Sequence, residues 1–350
     1  MLTAHQPQQP ETYLIKPIHA LTAFLLYVGA ITIFYSFFNA YTHNPDAIGD
    51  WLINYQYGFV RRGLWGWIHS VWAIAAIQVI LYAIILFCFW HLLQKQQWNL
   101  WLLLLTVSPA TLSFPIFDHA AEGRKEILYL AAFAVFVAML NNGKTKWLNT
   151  YLAIILPICI LSHELTIFFM PYFFIAALIG GFKVGRLPII TSLIATVAVI
   201  LHPGNALMAH KICQSVGMCN GSISYLSDDP SVALERVRKV FFQRHYYIVY
   251  PFALFLAIFP ALELWPRAWL TFIPTLPLFF LGTDWGRWIY INMMSLFLLL
   301  LLMQRKSRSK PNLIFIVLYA LFWNAPLCCY FGGMEWGYLG LFKRAWHYMN

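Results

Sequence analysis

Apolar runs of about twenty residues recur along the whole chain, each closed by a short polar or charged stretch. Each run is long enough to cross a hydrocarbon core of roughly 30 Å as a helix. The punctuation places spans near 18–38, 68–90, 98–116, 127–140, 147–162, 165–182, 187–202, 246–262, 268–282, 288–303 and 312–330. This pattern predicts an all-α, polytopic transmembrane helix bundle of about eleven spans, a single domain over 1–350. The longest loop, 203–245, lies on the outer side. Within it DDPSVALERVRKVFF opens a helix at Pro230, with Ala233, Val237, Val240 and Phe241 on one face and Arg236, Arg238 and Lys239 elsewhere. That is the pattern of an amphipathic helix lying in the membrane interface. The opening MLTAHQPQQPETYLIK is polar, and no small-residue cleavage pattern follows the first apolar run. It reads as a short cytoplasmic tail before a retained helix.

Composition strengthens this picture. Of 350 residues 61% are hydrophobic and 10% charged, against roughly 25% charged in soluble domains. A soluble protein is excluded, and the connections are too short for a separate nucleotide-binding or energy-coupling domain. No internal repeat is visible, nor any phosphate-loop, zinc-protease, paired C-x-x-C or nucleophile-elbow motif.

Charge supplies the orientation. With the N-terminus inside, the inner loops carry eleven cations, QRKSRSK after the tenth span being the densest run, and only Glu11 and Glu263 as acids. The outer side holds twelve cations against eleven acids. The positive-inside rule therefore places the N-terminus inside and the C-terminus outside. It also accounts for the net charge of +10 through anionic lipid, without nucleic acid.

On the outer face, charges of both signs stand at the span ends. Ionisable groups at that depth are costly and usually face a protein interior or a wet cavity. Asp46 and Asp50 precede Arg61 and Arg62, which Gly63 and Gly66 follow. Arginine forks match phosphate oxygens, and glycines let a backbone approach a bulky anion, so the pair reads as a diphosphate clamp. The bland alternative is two arginines snorkelling to headgroups beside Trp65 and Trp67. Asp118, His119, Glu122, Arg124, Lys125 and Glu126 follow in the second outer loop. A helix beginning near Ala120 would put Glu122 and Glu126 on one face, as a base beside a phosphate ligand or as a solvated cap. His163 and Glu164 interrupt apolar sequence with only Ser162 for polar company, which suits acid or base chemistry or a helix-hairpin tip. Consecutive positions make them poor joint metal ligands. Asp284 and Arg287 stand three apart, as a helix N-cap with its ion pair or as substrate support. Cys213 and Cys219 predict a disulfide.

Many spans, acids and an arginine pair in the first outer loop, and the segments YGFVRRGLWG and GTDWGRWIY resemble bacterial membrane glycosyltransferases that use polyprenyl-linked sugars. Within that group the chain is most similar to O-antigen or capsule repeat-unit polymerases of the Wzy type. The resemblance implies an inner-membrane enzyme that transfers a glycan from undecaprenyl diphosphate to another lipid-linked unit at the periplasmic face. Its partners would be polyprenyl-diphosphate-linked glycans and membrane lipid. The leaving diphosphate needs fixed cations, for which Arg61, Arg62, Arg124 and Lys125 are available, and no metal cofactor is then required. Asp118, Glu122, Asp284 and Arg287 complete the expected substrate-binding set. The acceptor hydroxyl needs a base, expected to be Glu164, with Asp50 next and His163 and Glu126 as further catalytic candidates. A GT-C-type transferase with a polyprenyl-phosphate donor would favour Asp50. A transporter or flippase of a lipid-linked or anionic solute is the alternative from another class.

Overall fold

The computed structural model describes residues 17–118, 123–227, 230–243, 246–304, 312–323, 325–326 and 334–335. Its described α-helices of eight residues or more are α1 Pro17–Tyr41, α2 Val71–Leu93, α3 Leu100–Val107, α4 Glu126–Asn141, α5 Leu148–Ser162, α6 Pro171–Ile179, α7 Arg186–Leu201, α8 Ala206–Val216, α9 Pro230–Gln243, α10 Tyr246–Leu264, α11 Trp285–Met303 and α12 Leu313–Leu321. The described residues are overwhelmingly helical, with one antiparallel pair of two-residue strands, Ala325–Pro326 and Met334–Glu335.

Among the described residues four helices, α1, α2, α10 and α11, are long and apolar enough to cross a membrane. A fifth candidate is the α7–α8 pair, bent by 97° at residues 202–205. Apolar helices of 10–17 residues add α4 and α5, the interrupted pair 166–179 and the segment 268–281. Most expected runs are therefore helical, while several are too short or too broken to count as complete spans. The reasons are local. Over 98–116, α3 stops at Val107, where Ser108 and Pro109 follow and the Ser108, Thr111 and Ser113 hydroxyls take over backbone groups. Over 165–182, Pro171 divides Thr166–Phe169 from α6. Pro274 and Pro277 leave 268–282 as a 3-10 turn and the short helix Leu278–Leu281. Proline removes an amide donor and clashes with the preceding turn, so each of these runs breaks there. Side-chain caps fix other starts: Ser70 accepts from the Ala73 amide and Asn99 from the Leu102 amide.

Helix α11 is the axis of the bundle, with 89% of its apolar window buried against 28% for α1 and 33% for α2. It packs on α4, α6 and α10, and α2 packs between α1 and α4. The peripheral helices leave large apolar side chains outward, for example Leu187, Ile190, Leu193, Ile194 and Leu201 on α7. A contiguous apolar exterior of this kind is what lipid covers.

The expected long loop 203–245 is mostly folded: α8, a 3-10 segment Gly221–Ser227 and α9. Cys213 and Cys219 are disulfide-bonded. On α9, Val237 is buried while Arg238 and Lys239 are exposed, as the amphipathic pattern requires. Arg236 stacks over Tyr225 at 5.0 Å.

Candidate functional site

Residues separated by more than two hundred positions converge at one end of the bundle. The segment between α1 and α2 contributes the single turn Gly49–Leu52 carrying Asp50, and then Arg61 and Arg62. Arg62 is a non-glycine residue in the left-handed region, φ +66°, just before the 3-10 turn Gly63–Trp65. Such a conformation persists only where the surroundings impose it. Here the ammonium of Lys125 donates to the Arg62 carbonyl and the guanidinium is clamped by Glu164.

Gly63 and Gly66 serve packing. A Cβ on Gly63 would overlap the Tyr55 ring, and one on Gly66 would overlap the Ile53 carbonyl and Asn54. This corrects the expectation that they clear space for an anion. Trp65 is also not a lipid anchor, since its indole donates to the Ser162 hydroxyl at 2.7 Å. Trp67 is highly exposed.

Helix α4 begins at Glu126, and the loop before it supplies Arg124 and Lys125. That loop is pinned through the Gly123 carbonyl, which accepts from the Trp51 indole at 2.8 Å and the Gln78 amide at 2.6 Å. Trp51 and Gln78 were absent from the sequence-derived site set. A lone amide inside the apolar run of α2 was the available signal for Gln78. His163 is the extended residue that ends α5, and Glu164 follows it. Asp284 stands before α11, with Arg287 in its first turn.

These groups form an ion-pair network. Arg62 Nε donates to Glu164 Oε2 at 2.7 Å, its Nη2 pairs with Oε1, and its Nη1 lies 3.5 Å from Asp50 Oδ1. Arg61 reaches Glu164 Oε1 at 3.4 Å and donates to the Tyr225 carbonyl at 3.2 Å. Arg124 lies 3.1 Å from Asp46 and 3.5 Å from Asp284. Arg287 pairs with Asp284 and reaches Glu126 Oε1 at 3.2 Å, the same oxygen that lies 3.2 Å from His163 Nε2. The Lys125 amide donates to Asp50 Oδ2 at 3.3 Å. Asp284 stands at the N-cap of α11 and pairs with Arg287 as expected, but its side chain makes no cap bond to the helix amides.

The network has a rim and a floor. Side-chain exposure is 37% at Asp46, 26% at Arg61 and 17% at Glu164, and 0% at Asp50. Lys125, Glu126, His163 and Arg287 are buried with Asp50. Asp118 is also buried, at the end of the Phe114–Phe117 turn. Glu122 and His119 lie outside the described residues. The expectation of a shared Glu122–Glu126 face therefore lies outside the described residues, among which α4 runs from Glu126.

Burial and pairing set the protonation states. Burial would raise Asp50, but His163 when charged, Arg62, Lys125 and Arg124 outweigh it and hold the carboxyl at about 2. Burial would likewise raise Glu164, yet Arg62, His163 and Arg61 keep it well below the ordinary carboxylate range. Burial lowers the Lys125 ammonium to about 8 despite Asp50. Burial, then Arg62, push His163 below its usual value, so its imidazole is neutral at pH 7. Five carboxylates, Asp46, Asp50, Glu126, Glu164 and Asp284, then face five cations, Arg61, Arg62, Arg124, Lys125 and Arg287, and the cluster is neutral in sum.

Asp50, Glu126 and His163 bring ligand-type atoms within 4.8 Å of one another, an oxygen and nitrogen set that suits a divalent ion. The pairing of His163 with Glu164 was the metal arrangement considered from sequence; a different trio converges here. A guanidinium already stands beside each of its acids, Arg62 3.5 Å from Asp50 and Arg287 3.2 Å from Glu126.

The opposite end of the bundle is different. At the far end of α2 and α4, Lys95 donates to Asn142 at 2.6 Å on the surface. A cavity of about 720 Å³ lies beside the segment between α1 and α2, lined by His43, Leu52, His69, Trp72 and residues 215–220, and no member of the ion-pair network lines it. Comparison with family models, curated proteins and solved structures gives no match for this chain.

Proposed function

We propose that this chain is a membrane glycosyltransferase that joins undecaprenyl-diphosphate-linked oligosaccharide repeat units at the periplasmic face of the bacterial inner membrane, in O-antigen or capsule synthesis. The observation that carries the reading is the Arg61–Arg62 pair at the rim of a buried, carboxylate-bearing cluster at one end of an apolar bundle. A lipid diphosphate leaving with its electron pair needs fixed positive charge at a desolvated site, which two adjacent guanidinium forks supply. The incoming sugar hydroxyl must lose a proton, and Glu164 stands against the same forks. Electrostatic positioning of this kind is strongest in a site closed to water, and the floor of the cluster is buried.

The transporter reading has less support. Transporters concentrate ionisable groups on broken helices near mid-membrane, whereas these stand in connecting segments and first helical turns. The test is purified protein in lipid nanodiscs with an undecaprenyl-diphosphate-linked repeat unit as both donor and acceptor. Lipid-linked dimers and longer products are expected, and none from Arg62→Ala. Movement of the lipid-linked unit across reconstituted vesicles without new glycosidic bonds would replace this reading with transport.

A further inference from the structure

Glu164 occupies the groups that a diphosphate would use. Its two oxygens take Arg62 in a side-on pair, through Nε at 2.7 Å and through Nη2, and the Oε1 oxygen also lies 3.4 Å from Arg61. This is the geometry in which a guanidinium fork holds a phosphoryl group. The carboxylate sits at the rim, 17% exposed, with both arginines beside it, so an incoming anion reaches the same forks from the open side. Below it Arg62 is fixed by other means: its carbonyl by Lys125, and its Nη1 near Asp50. Removing Glu164 from the forks therefore leaves them in place.

We propose that Glu164 is a resident anion that a substrate diphosphate displaces from Arg61 and Arg62, and that the displaced carboxylate is the proton acceptor for the incoming hydroxyl. This rests on the glycosyl-transfer reading for the identity of the substrate but not for the exchange itself. While paired, Glu164 is a poor base, because Arg62, Arg61 and any charge on His163 favour its ionised form. Once the forks turn to phosphate, the two guanidinium charges are matched elsewhere. The carboxylate then keeps its burial, a neutral His163 beside it, and the nearby charges of Lys125, Asp50 and Glu126. Burial with both guanidinium charges withdrawn, and Lys125 the one cation left nearby, raises the carboxyl from its paired value toward the range of a working base. In the reaction the acceptor oxygen forms the new bond to the anomeric carbon and gives its proton to Glu164. The bond from that carbon to the diphosphate oxygen breaks, and its electron pair leaves with the lipid diphosphate. The proton passes from Glu164 to water or to the departing phosphate as the forks re-pair. Binding of donor thus switches on the base, and an empty site is protected from deprotonating water.

Inorganic diphosphate tests the exchange without any sugar chemistry. Calorimetric titration of purified protein is expected to show Glu164→Gln binding it roughly tenfold more tightly than the unchanged protein, because a competing anion has gone. Arg62→Met is expected to lose binding. If Glu164 merely orients Arg62, Glu164→Gln binds more weakly, and the proposal is overturned. Infrared difference spectra of the unchanged protein provide the check that needs no variant to fold. Saturating diphosphate should raise the pH at which the carboxyl band assigned to Glu164 titrates; a band that stays fixed while diphosphate binds overturns the proposal. Tight exchange with no polymer formation would leave the displacement standing and remove the glycosyl-transfer reading alone.

Discussion

Two polar regions lie inside this bundle, and they are built on opposite terms. In the neutral one, Tyr172 donates to Asn292 Oδ1 at 2.8 Å, Thr275 lies 3.1 Å from the same oxygen, and Asn292 Nδ2 donates to the Trp288 carbonyl. Nearby, Tyr129 meets Ser295 at 3.0 Å. Each of these buried groups has a partner, which is the condition under which polar groups in an apolar core cost little. The charged region at the bundle end is not finished in this way. Asp50 Oδ1, both Glu126 oxygens, His163 Nε2, Arg124 Nε and two Arg287 nitrogens are buried and take part in no hydrogen bond. Ion pairing compensates their charge but not their hydrogen-bonding capacity. A purely structural network would be more complete, because replacing a buried pair by packed hydrophobes is often neutral or stabilising. The difference separates a joint that ties α6 to α11 with its partners complete from a charged cluster whose hydrogen-bonding capacity is left open.

The largest break in that contrast comes from Arg62. Arg62→Met removes the side-on partner of Glu164, leaving it only Arg61 at 3.4 Å, and takes the nearest guanidinium from buried Asp50; this should cost about 3 kcal/mol, read as a fall in melting temperature in detergent. Polymer formation should be abolished. Adding Glu164→Leu removes the stranded charge, so most of the stability should return while activity does not. Recovery of activity in the double variant would show that the pair is only structural.

The neutral joint should respond in the reverse sense. Asn292→Leu deprives Tyr172 and Thr275 of their shared acceptor and should cost up to about 3 kcal/mol of stability. Turnover per folded molecule should stay close to that of the unchanged protein. A selective loss of turnover at intact melting temperature would erase the distinction between the two regions.

Asp50 sharpens the contrast through pH. Its carboxyl is held at about 2 against an ordinary 3.8. A depressed acid contributes stability above the unfolded value and loses it as pH falls through the folded value. Since the His163 share of that depression exists only when the imidazole is charged, the contribution near neutrality comes from Arg62, Lys125 and Arg124, should be about 1 kcal/mol, and is lost as pH falls through the folded value. Asp50→Asn should flatten that part of the stability profile. An unchanged acid limb in Asp50→Asn would show that the charge of Asp50 is not what its cationic neighbours stabilise.

Much of the frame was legible because long apolar runs with polar ends leave few alternatives: α1, α2, α4, α5, α7, α10 and α11 follow their expected spans within a few residues. The shortfall lies where polar residues and prolines sit inside an apolar run. Ser108 and Pro109 end α3, and Pro274 and Pro277 keep 268–282 from forming a continuous helix. At the site, outer charges at helix ends pointed to Arg61, Arg62, Arg124, Lys125, Glu126, His163, Glu164, Asp284 and Arg287, and the structure joins them in one network with Asp50. Their pairing was not legible. Which arginine meets which acid depends on how segments a hundred residues apart are brought together, as Arg62 and Glu164 are. Nothing periodic in the chain encodes that, and the same holds for Trp51 and Gln78 at the Gly123 carbonyl.

The smallest effect is expected at the far end, and it tests whether charge matters by place or merely by presence. Lys95 is exposed at the end of α2 and donates to Asn142. An exposed contact of this kind contributes little, because water and salt replace it readily. Lys95→Ala should therefore change stability by less than about 0.5 kcal/mol and leave diphosphate binding and polymer formation as they were. It removes the same formal charge as Arg62→Met, in the same detergent, from the same protein. If Lys95→Ala also weakened diphosphate binding severalfold, the anion would be responding to the net charge of the whole molecule. The assignment of binding to the Arg61–Arg62 forks would then fail.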